Sequence, residues 1–447
     1  MLTAVAAAAA ASAGTINVFV RSDTVLTSAR NRKRLFHLKP PGRCLEDRTS
    51  GSCVPSSIVR SLALPPDVAL LEALNEVLPQ GGLGARMNSA SKEGGFHPST
   101  TNSSLTQEVE VQKQAPRAPF KLGPKIHNWD QQRAAWLAKY PHKRLTPQGR
   151  PNMILVTSSP PEPCPAATGD HFLLKSIKNK MDYCRLHMIE IYYNMAIMEM
   201  DDFWIKLPII RKLMVSHPEA EWIWWMDSDA IFTDMTFDFP VEKYEGRNLV
   251  VHGWDKAVYE DKAWVGLNAG IFLLRNCQWS LDLLDMWAPL GEKYGNHKNE
   301  VGDFLSKELL GRPNFEVDDQ AALVWVLYSK PELRPHVFLE NSYHLHGWWV
   351  DLTAHFDEMI TKYHPGDGGS KWPFITHFVG CKFCAGKYNS SSLERCYYEV
   401  ERAFNLADNQ VLKPYGYQHE SLSSVDVKKV SDEVTHPLER LGIRLTD

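Results

Sequence analysis

The sequence has no excess of either charge. Its 49 lysines and arginines face 53 aspartates and glutamates, leaving a net charge of −4 over 447 residues. It also has no basic stripe with interleaved aromatics, and the two absences together argue against a nucleic-acid binder. No internal repeat is found. A strong apolar run is missing as well. The uncharged start, MLTAVAAAAAASAGTINVFV (residues 1–20), has the length of a span, which needs ~20 apolar residues. Alanine, serine, glycine, threonine and asparagine dilute it, and basic residues follow it (Arg30 to Arg34) rather than precede it. An alanine-rich, acid-poor start of this kind reads as a weak signal anchor or as an organelle transit peptide.

Eight cysteines are present, three of them close together as Cys381, Cys384 and Cys396. A fourth nearby ligand for zinc is lacking, and so is the βαβ context of a redox CxxC. Structural disulfides in an oxidising lumen fit best, with these three as disulfide candidates. The sequons at Asn102 and Asn389 fit glycosylation in such a compartment.

Hydrophobic residues make up 44% and charged residues 23%, the balance of a globular chain with a real core. This length predicts two or three domains, or one large domain with appendages. Residues 21–118 are rich in Pro, Gly, Ser and Thr and read as a disordered stem. One patch inside it, SLALPPDVALLEALNEVL, has the makings of a short helix. From Pro119 to the end, short apolar runs alternate with helical spacings. Strands are expected at 153–159, 222–226, 248–253, 268–276 and 374–380, and helices at 179–198, 281–290 and 319–329. This pattern predicts an α/β domain over 119–447 with a mostly parallel sheet. Ligands of such sheets bind beyond the carboxyl ends of the strands.

At one such end, the apolar run WIWWM finishes in Asp227-Ser228-Asp229. Strand side chains alternate, so the two carboxylates share a face, ~7 Å apart. Two like charges at a buried strand end would push one pKa up unless a cation compensates them. Oxygen ligands favour Mg²⁺ or Mn²⁺, with open positions left for phosphates. The bland alternative is a solvated turn in which Asp229 caps a helix. Fourteen tryptophans are first of all core filler, yet flat aromatic faces also suit sugar rings.

Several segments together, WIWWMDSDAIFTD, HGW, GLNAGIFLLRNCQWSLDLLDMWAPLG, DDQ, THFVGCK and ERAFNLADNQVL, resemble plant glycosyltransferase family 34. LGPKIHNWDQQRAAWL and GDHFLLKSIKNKMDYCRLH belong to the same likeness, which runs from about Leu122 to about Arg444. The family holds xyloglucan 6-xylosyltransferases and galactomannan galactosyltransferases. The resemblance implies a nucleotide-diphospho-sugar transferase fold of the GT-A type, with a Rossmann-like mixed sheet in a single catalytic domain. It also implies a type II Golgi membrane protein with its catalytic domain in the lumen, and retaining transfer from a UDP-sugar. The weak N-terminal run departs from the family's clear anchor, which is consistent with a misplaced start.

The resemblance implies roles for particular residues. Asp227, Asp229 and His377 would hold Mn²⁺ (or Mg²⁺) against the donor diphosphate; a lone histidine at a strand end otherwise reads as a core residue. Lys382, after Gly380, would face the diphosphate; alternatively it is a surface lysine. Asp318, Asp319 and Gln320 would face the sugar, although an N-cap explains one of the acids equally well. Thr157, Ser158, Lys175, Asp182, Arg185, Ser228, Asn268 and Gly380 are candidates for UDP-sugar contacts. Trp348 and Trp349 would stack on the acceptor or fill the core. Asn268-Ala269-Gly270 leans toward galactose, whereas WAPLG, HLHGWW and HFVGCKFC lean toward xylose. The favoured expectation is xylose moved from UDP-xylose to O6 of glucose in a β-1,4-glucan, by an enzyme that oligomerises with itself or with related transferases. The alternatives are α-1,6-galactosyl transfer to mannan and a non-catalytic Golgi subunit. A metal-dependent hydrolase is more distant, since no acid and nucleophile are paired at glycosidase spacing.

Overall fold

The computed structural model describes residues 17–20, 122–195, 203–292, 295–384 and 390–434. The sequons at Asn102 and Asn389, the helical patch at 61–78 and nearly all of segments 1–20 and 21–118 lie outside the described residues.

Ten strands carry the argument: β1 (Asn17–Val20), β2 (Met153–Ser158), β3 (Glu190–Asn194), β4 (Trp222–Met226), β5 (Ala230–Phe232), β6 (Leu249–Gly253), β7 (Leu267–Arg275), β8 (Val337–Glu340), β9 (Gly347–Trp348) and β10 (Ile375–His377). Seven of them form one sheet in the order β1-β3-β2-β4-β7-β6-β8. The expected α/β class holds, but the sheet is mixed rather than mostly parallel. Strand β7 runs antiparallel to both its neighbours, and β1 runs antiparallel to β3.

The strands alternate between two cores, as the period of two dictates. Trp222, Trp224 and Met226 pack on one face with Leu155, Val250 and Leu273. Ile223 and Trp225 pack on the other with Ile154, Val251 and Phe272. Helices cover both faces, so β4 is apolar throughout and all five residues are buried. Truncating one of its tryptophans would cost about 3–5 kcal/mol.

One expectation for the elements is corrected. The helix predicted over 179–198 spans Ala167–His187, and the chain then turns into β3. Met188 takes a left-handed conformation at φ 54° and ends the helix. Ile191, Tyr192 and Tyr193 suit a pleated strand, and tertiary pairing with β2 settles the choice.

A second sheet positions the site. In it β10 pairs antiparallel with β5 and parallel with β9. Because β5 begins directly after Asp229, this sheet brings His377 level with Ala230 on one side and with Trp348 on the other.

Candidate active site and metal centre

The turn after β4 is built by backbone bonds. Asp227 N–H donates to Gly270 O at 2.9 Å, and Ala230 N–H donates back to Asp227 O at 3.2 Å. The turn therefore lies between β7 and β10. It brings ligand atoms of Asp227, Asp229 and His377 to within 4.8 Å of one another. His377 Nε2 sits 3.1 Å from Asp229 Oδ1. Among the described residues this is the set of acidic and imidazole groups that can close on one ion. Ligand atoms around one Mg²⁺-sized ion lie about 3–4.2 Å apart, so three atoms within 4.8 Å of one another are close enough to share one. Two carboxylates and an imidazole are donors suited to a divalent ion of the Mg²⁺ to Mn²⁺ kind. Gly270 makes the space: a Cβ there would lie 2.3 Å from His377 Cε1 and 2.8 Å from Asp227 Oδ2.

The charge balance rests on a residue the sequence reading missed. Lys206 starts the helix Lys206–Ser216 and is 2% exposed. Its ammonium lies 2.7 Å from Asp319 Oδ2, 3.4 Å from Asp227 Oδ1 and 2.9 Å from Ala269 O. Burial works against this charge, but Asp227 and Asp319 outweigh it and hold the lysine above its usual pKa. Burial pushes Asp319 up to about 6, with Lys206 opposing the rise. A second buried lysine, Lys180, donates to Ser176 Oγ at 2.6 Å and to Ala230 O at 2.7 Å. Burial pushes it down to about 7, against the pull of Asp229 and then Asp227. The only local signal for Lys206 was a lone charge inside the apolar run IKLPII, since such a charge needs a buried partner.

The Asp318-Asp319-Gln320 segment divides by role. Asp318 is the N-cap of helix Asp319–Ser329, accepting from Ala321 N–H at 2.8 Å and from Arg312 at 3.1 Å. Asp319 is the acid that reaches the cluster. Gln320 Oε1 accepts from Asn268 Nδ2 and Ala269 N–H, both at 3.3 Å, while its Nε2 donates to Trp264 O at 3.1 Å. Gln320 thus holds the start of β7. Asn268 Oδ1 in turn accepts from Gly270 N–H at 3.0 Å, which places Asn268 and Gly270 at the metal set.

The remaining candidates lie at varied places. Ser228 O accepts from Ser176 Oγ at 2.5 Å, so the central residue of the turn is pinned to the helix Ala167–His187. Thr157 and Ser158 end β2; Thr157 Oγ1 is buried without a partner, and Ser158 donates to Asn194 O at 3.0 Å. Lys175 is ion-paired to Glu401, and Lys178 links Asp182 to Asp408 at 2.7 and 2.5 Å. Arg185 bonds Asp182 at 2.9 Å. Those charges tie the helix Ala167–His187 to the helix Ser390–Leu412 and are not brought to the metal set. Lys382 is exposed, 5.3 Å from the Phe203 ring centroid. It follows Gly380, whose φ of +93° lies in the region that favours glycine.

Trp349 fills the core, 7% exposed, with its indole N–H donating to Val379 O at 3.2 Å. It is therefore not available to a ligand. Trp348 is 50% exposed and stands in register beside His377. Nearby, Trp254 is 48% exposed and edges onto His252 at a ring distance of 4.8 Å. The cysteines pair as Cys164–Cys384 and Cys381–Cys396, so the three clustered candidates are all bridged. Two of them pair with each other, and the third pairs across the fold.

Comparison with known proteins shows which family the chain belongs to. The family model described as galactosyl transferase GMA12/MNN10 family matches residues 149–388. Xyloglucan 6-xylosyltransferase 2 of Arabidopsis thaliana is 54% identical over 342 residues, covering 76% of this chain and 74% of that protein. Xyloglucan 6-xylosyltransferase 1 of the same plant is 51% identical over 344 residues, with the same shares covered. The solved galactosyltransferase LgtC aligns at 11% identity over 57% of this chain and 95% of that chain, with a TM-score of 0.30. With more than half of its length matched by the family model, and with relatives above half identity over three quarters of it, this chain belongs to the galactosyl transferase GMA12/MNN10 family.

Proposed function

We propose that the protein is a Mn²⁺-dependent retaining glycosyltransferase of the GT-A type that moves xylose from UDP-xylose to O6 of glucosyl residues in a β-1,4-glucan. The observation that carries this is the Asp227–Asp229–His377 set in a chain 54% identical to a protein named xyloglucan 6-xylosyltransferase 2. Bound there, a divalent ion would neutralise charge on a diphosphate leaving group. The rest falls to the chain's own side chains. Lys206 holds Asp227 and Asp319 in place and offsets their charge. Asp319, kept ionised at neutral pH, faces the same ground and can stabilise positive charge that develops at a sugar centre. Gln320 fixes Asn268 and Ala269 beside it. Half-exposed Trp348, level with His377, offers a flat face for an acceptor sugar. Lys382 stands ready in solvent as a phosphate counter-charge.

Two disulfides support placement of the catalytic domain in an oxidising compartment, and we propose the Golgi lumen. Among the described residues no helix is long and apolar enough to cross a membrane.

The test uses the full-length protein from a secretory host. It is incubated with Mn²⁺, a cello-oligosaccharide, and UDP-xylose or UDP-galactose in parallel, and the products are weighed. Addition of a pentose, lost in Asp227→Asn/Asp229→Asn, is the expected result. Addition of a hexose, above all on a manno-oligosaccharide, would replace the donor with galactose. No product from folded protein with either donor would favour a non-catalytic subunit.

A further inference from the structure

His377 is used at both ends of its ring. Its Nε2 lies 3.1 Å from Asp229 Oδ1, and its Nδ1 lies 2.8 Å from Nδ1 of His346. The rings stand at 90° with centroids 4.9 Å apart. Two imidazole nitrogens at this distance form a hydrogen bond only if one carries the proton and the other a lone pair. With Nε2 of His377 given to an ion beside Asp229, its lone pair is on Nε2 and its ring proton on Nδ1; Nδ1 of His346 would then accept that proton, with the proton of His346 on Nε2.

The backbone enforces the contact. His346 directly precedes β9, where a Cβ on Gly347 would lie 2.6 Å from Ile375 O and 2.4 Å from Leu352 Cδ1. Only glycine lets β9 lie this close to β10; with Gly347 level with Thr376 and Trp348 level with His377, His346 lies just before the paired stretch and its side chain reaches His377 diagonally across the strands. On its other side, His346 meets the His252 ring at 5.3 Å.

We propose that His346 is a positioning residue for the metal centre, whose Nδ1 accepts from His377 Nδ1–H and so fixes the orientation and tautomer in which His377 Nε2 faces the ion. Ligating histidines usually give this bond to a carboxylate, a carbonyl or water, and loss of such a partner costs about 10–100-fold in metal affinity. Here an imidazole takes that place. The inference rests on the metal reading of Asp227, Asp229 and His377.

The experiment titrates Mn²⁺ into the metal-free full-length protein and follows free Mn²⁺ by electron paramagnetic resonance. The wild type is compared with His346→Leu, which removes the acceptor, and with His346→Asn, whose side-chain oxygen can stand near the Nδ1 position. Asp229→Asn serves as the control for loss of the site, and thermal melts report folding. The expected result is a dissociation constant about 10–100-fold weaker in His346→Leu, largely restored in His346→Asn, with both variants folded. In transfer assays the Leu variant should need more Mn²⁺ for half-maximal rate, yet approach the wild-type kcat when saturated. A Leu variant that binds Mn²⁺ as tightly as the wild type overturns the inference and leaves the metal reading standing. An Asn variant as weak as the Leu variant also overturns it, by reducing His346 to packing. A wild-type protein that takes up no Mn²⁺ overturns the metal reading and this inference together.

Discussion

Replacing Lys206 with methionine keeps the length of the side chain and removes one buried charge. Two carboxylates, Asp227 and Asp319, then lose their shared ammonium, and Ala269 O loses its donor. Breaking a buried pair this way costs about 3–5 kcal/mol when the remaining charge has no escape. Asp319 has an escape, because it can take up a proton. Burial already raises it to about 6 from the ordinary aspartate value of 3.8. For an acid whose folded pKa is raised, the contribution to stability is largest below the unfolded value and is lost as pH rises through the folded value. In the wild type that loss is complete just above pH 6. Without Lys206 the folded pKa rises further, and the loss continues into the neutral range. Each unit is worth about 1.4 kcal/mol. The deficit of Lys206→Met should thus be about 2 kcal/mol larger at pH 7.5 than at pH 5.5. At about 2 °C per kcal/mol for a domain of this size, the Tm gap should widen by about 4 °C over that interval. Thermal melts of both proteins at the two pH values measure it. Adding Asp319→Asn to the methionine variant should abolish the widening, since the proton-binding group is gone. A gap that stays constant or narrows with rising pH would refute the account, as would a double variant with the same widening.

Four further outcomes are expected. Gly270→Ala places a methyl group 2.3 Å from His377 Cε1; it should leave a folded protein that is less stable by about 1–3 kcal/mol and lacks Mn²⁺ uptake, measured by melts and metal titration. Trp348→Ala should raise the acceptor KM several-fold with little change in Tm, because its ring is half exposed. Trp349→Ala should cost about 3–5 kcal/mol and show first as a lowered Tm, because that ring is buried. Removing Cys164–Cys384, which bridges a separation of 220 residues, should lower stability by about 2–5 kcal/mol. It should cost more than removing Cys381–Cys396, with its separation of 15, as paired serine variants in thermal melts would show.

Features set by local pattern were legible in the sequence. WIWWM announces a strand buried on both faces, and β4 is that strand; strand alternation does not place the acids, because β4 ends at Met226 and Asp227 and Asp229 come within reach of one ion through the turn that follows. The cap at Asp318 was readable in the same way. Where a local pattern was ambiguous, tertiary structure decided. The apolar spacing of NKMDYCRLHM runs on into EIYYN with no glycine or proline between them. The break falls at Met188, in a left-handed conformation that methionine rarely takes. His377 was found only through the family's motifs, because its contact with Asp229 spans 148 residues and no periodicity points to it. Lys180 and Lys206 were overlooked for a different reason. Neither belongs to a motif, yet each lies on a buried face, Lys180 donating to Ala230 O beside Asp229 and Lys206 pairing with Asp227 and Asp319. Burying an ammonium demands an opposite charge close by. Two lysines on apolar helix faces therefore announce a buried acidic centre as strongly as the paired aspartates do. Had that demand been followed, the sequence would have pointed at the site from its cationic side too.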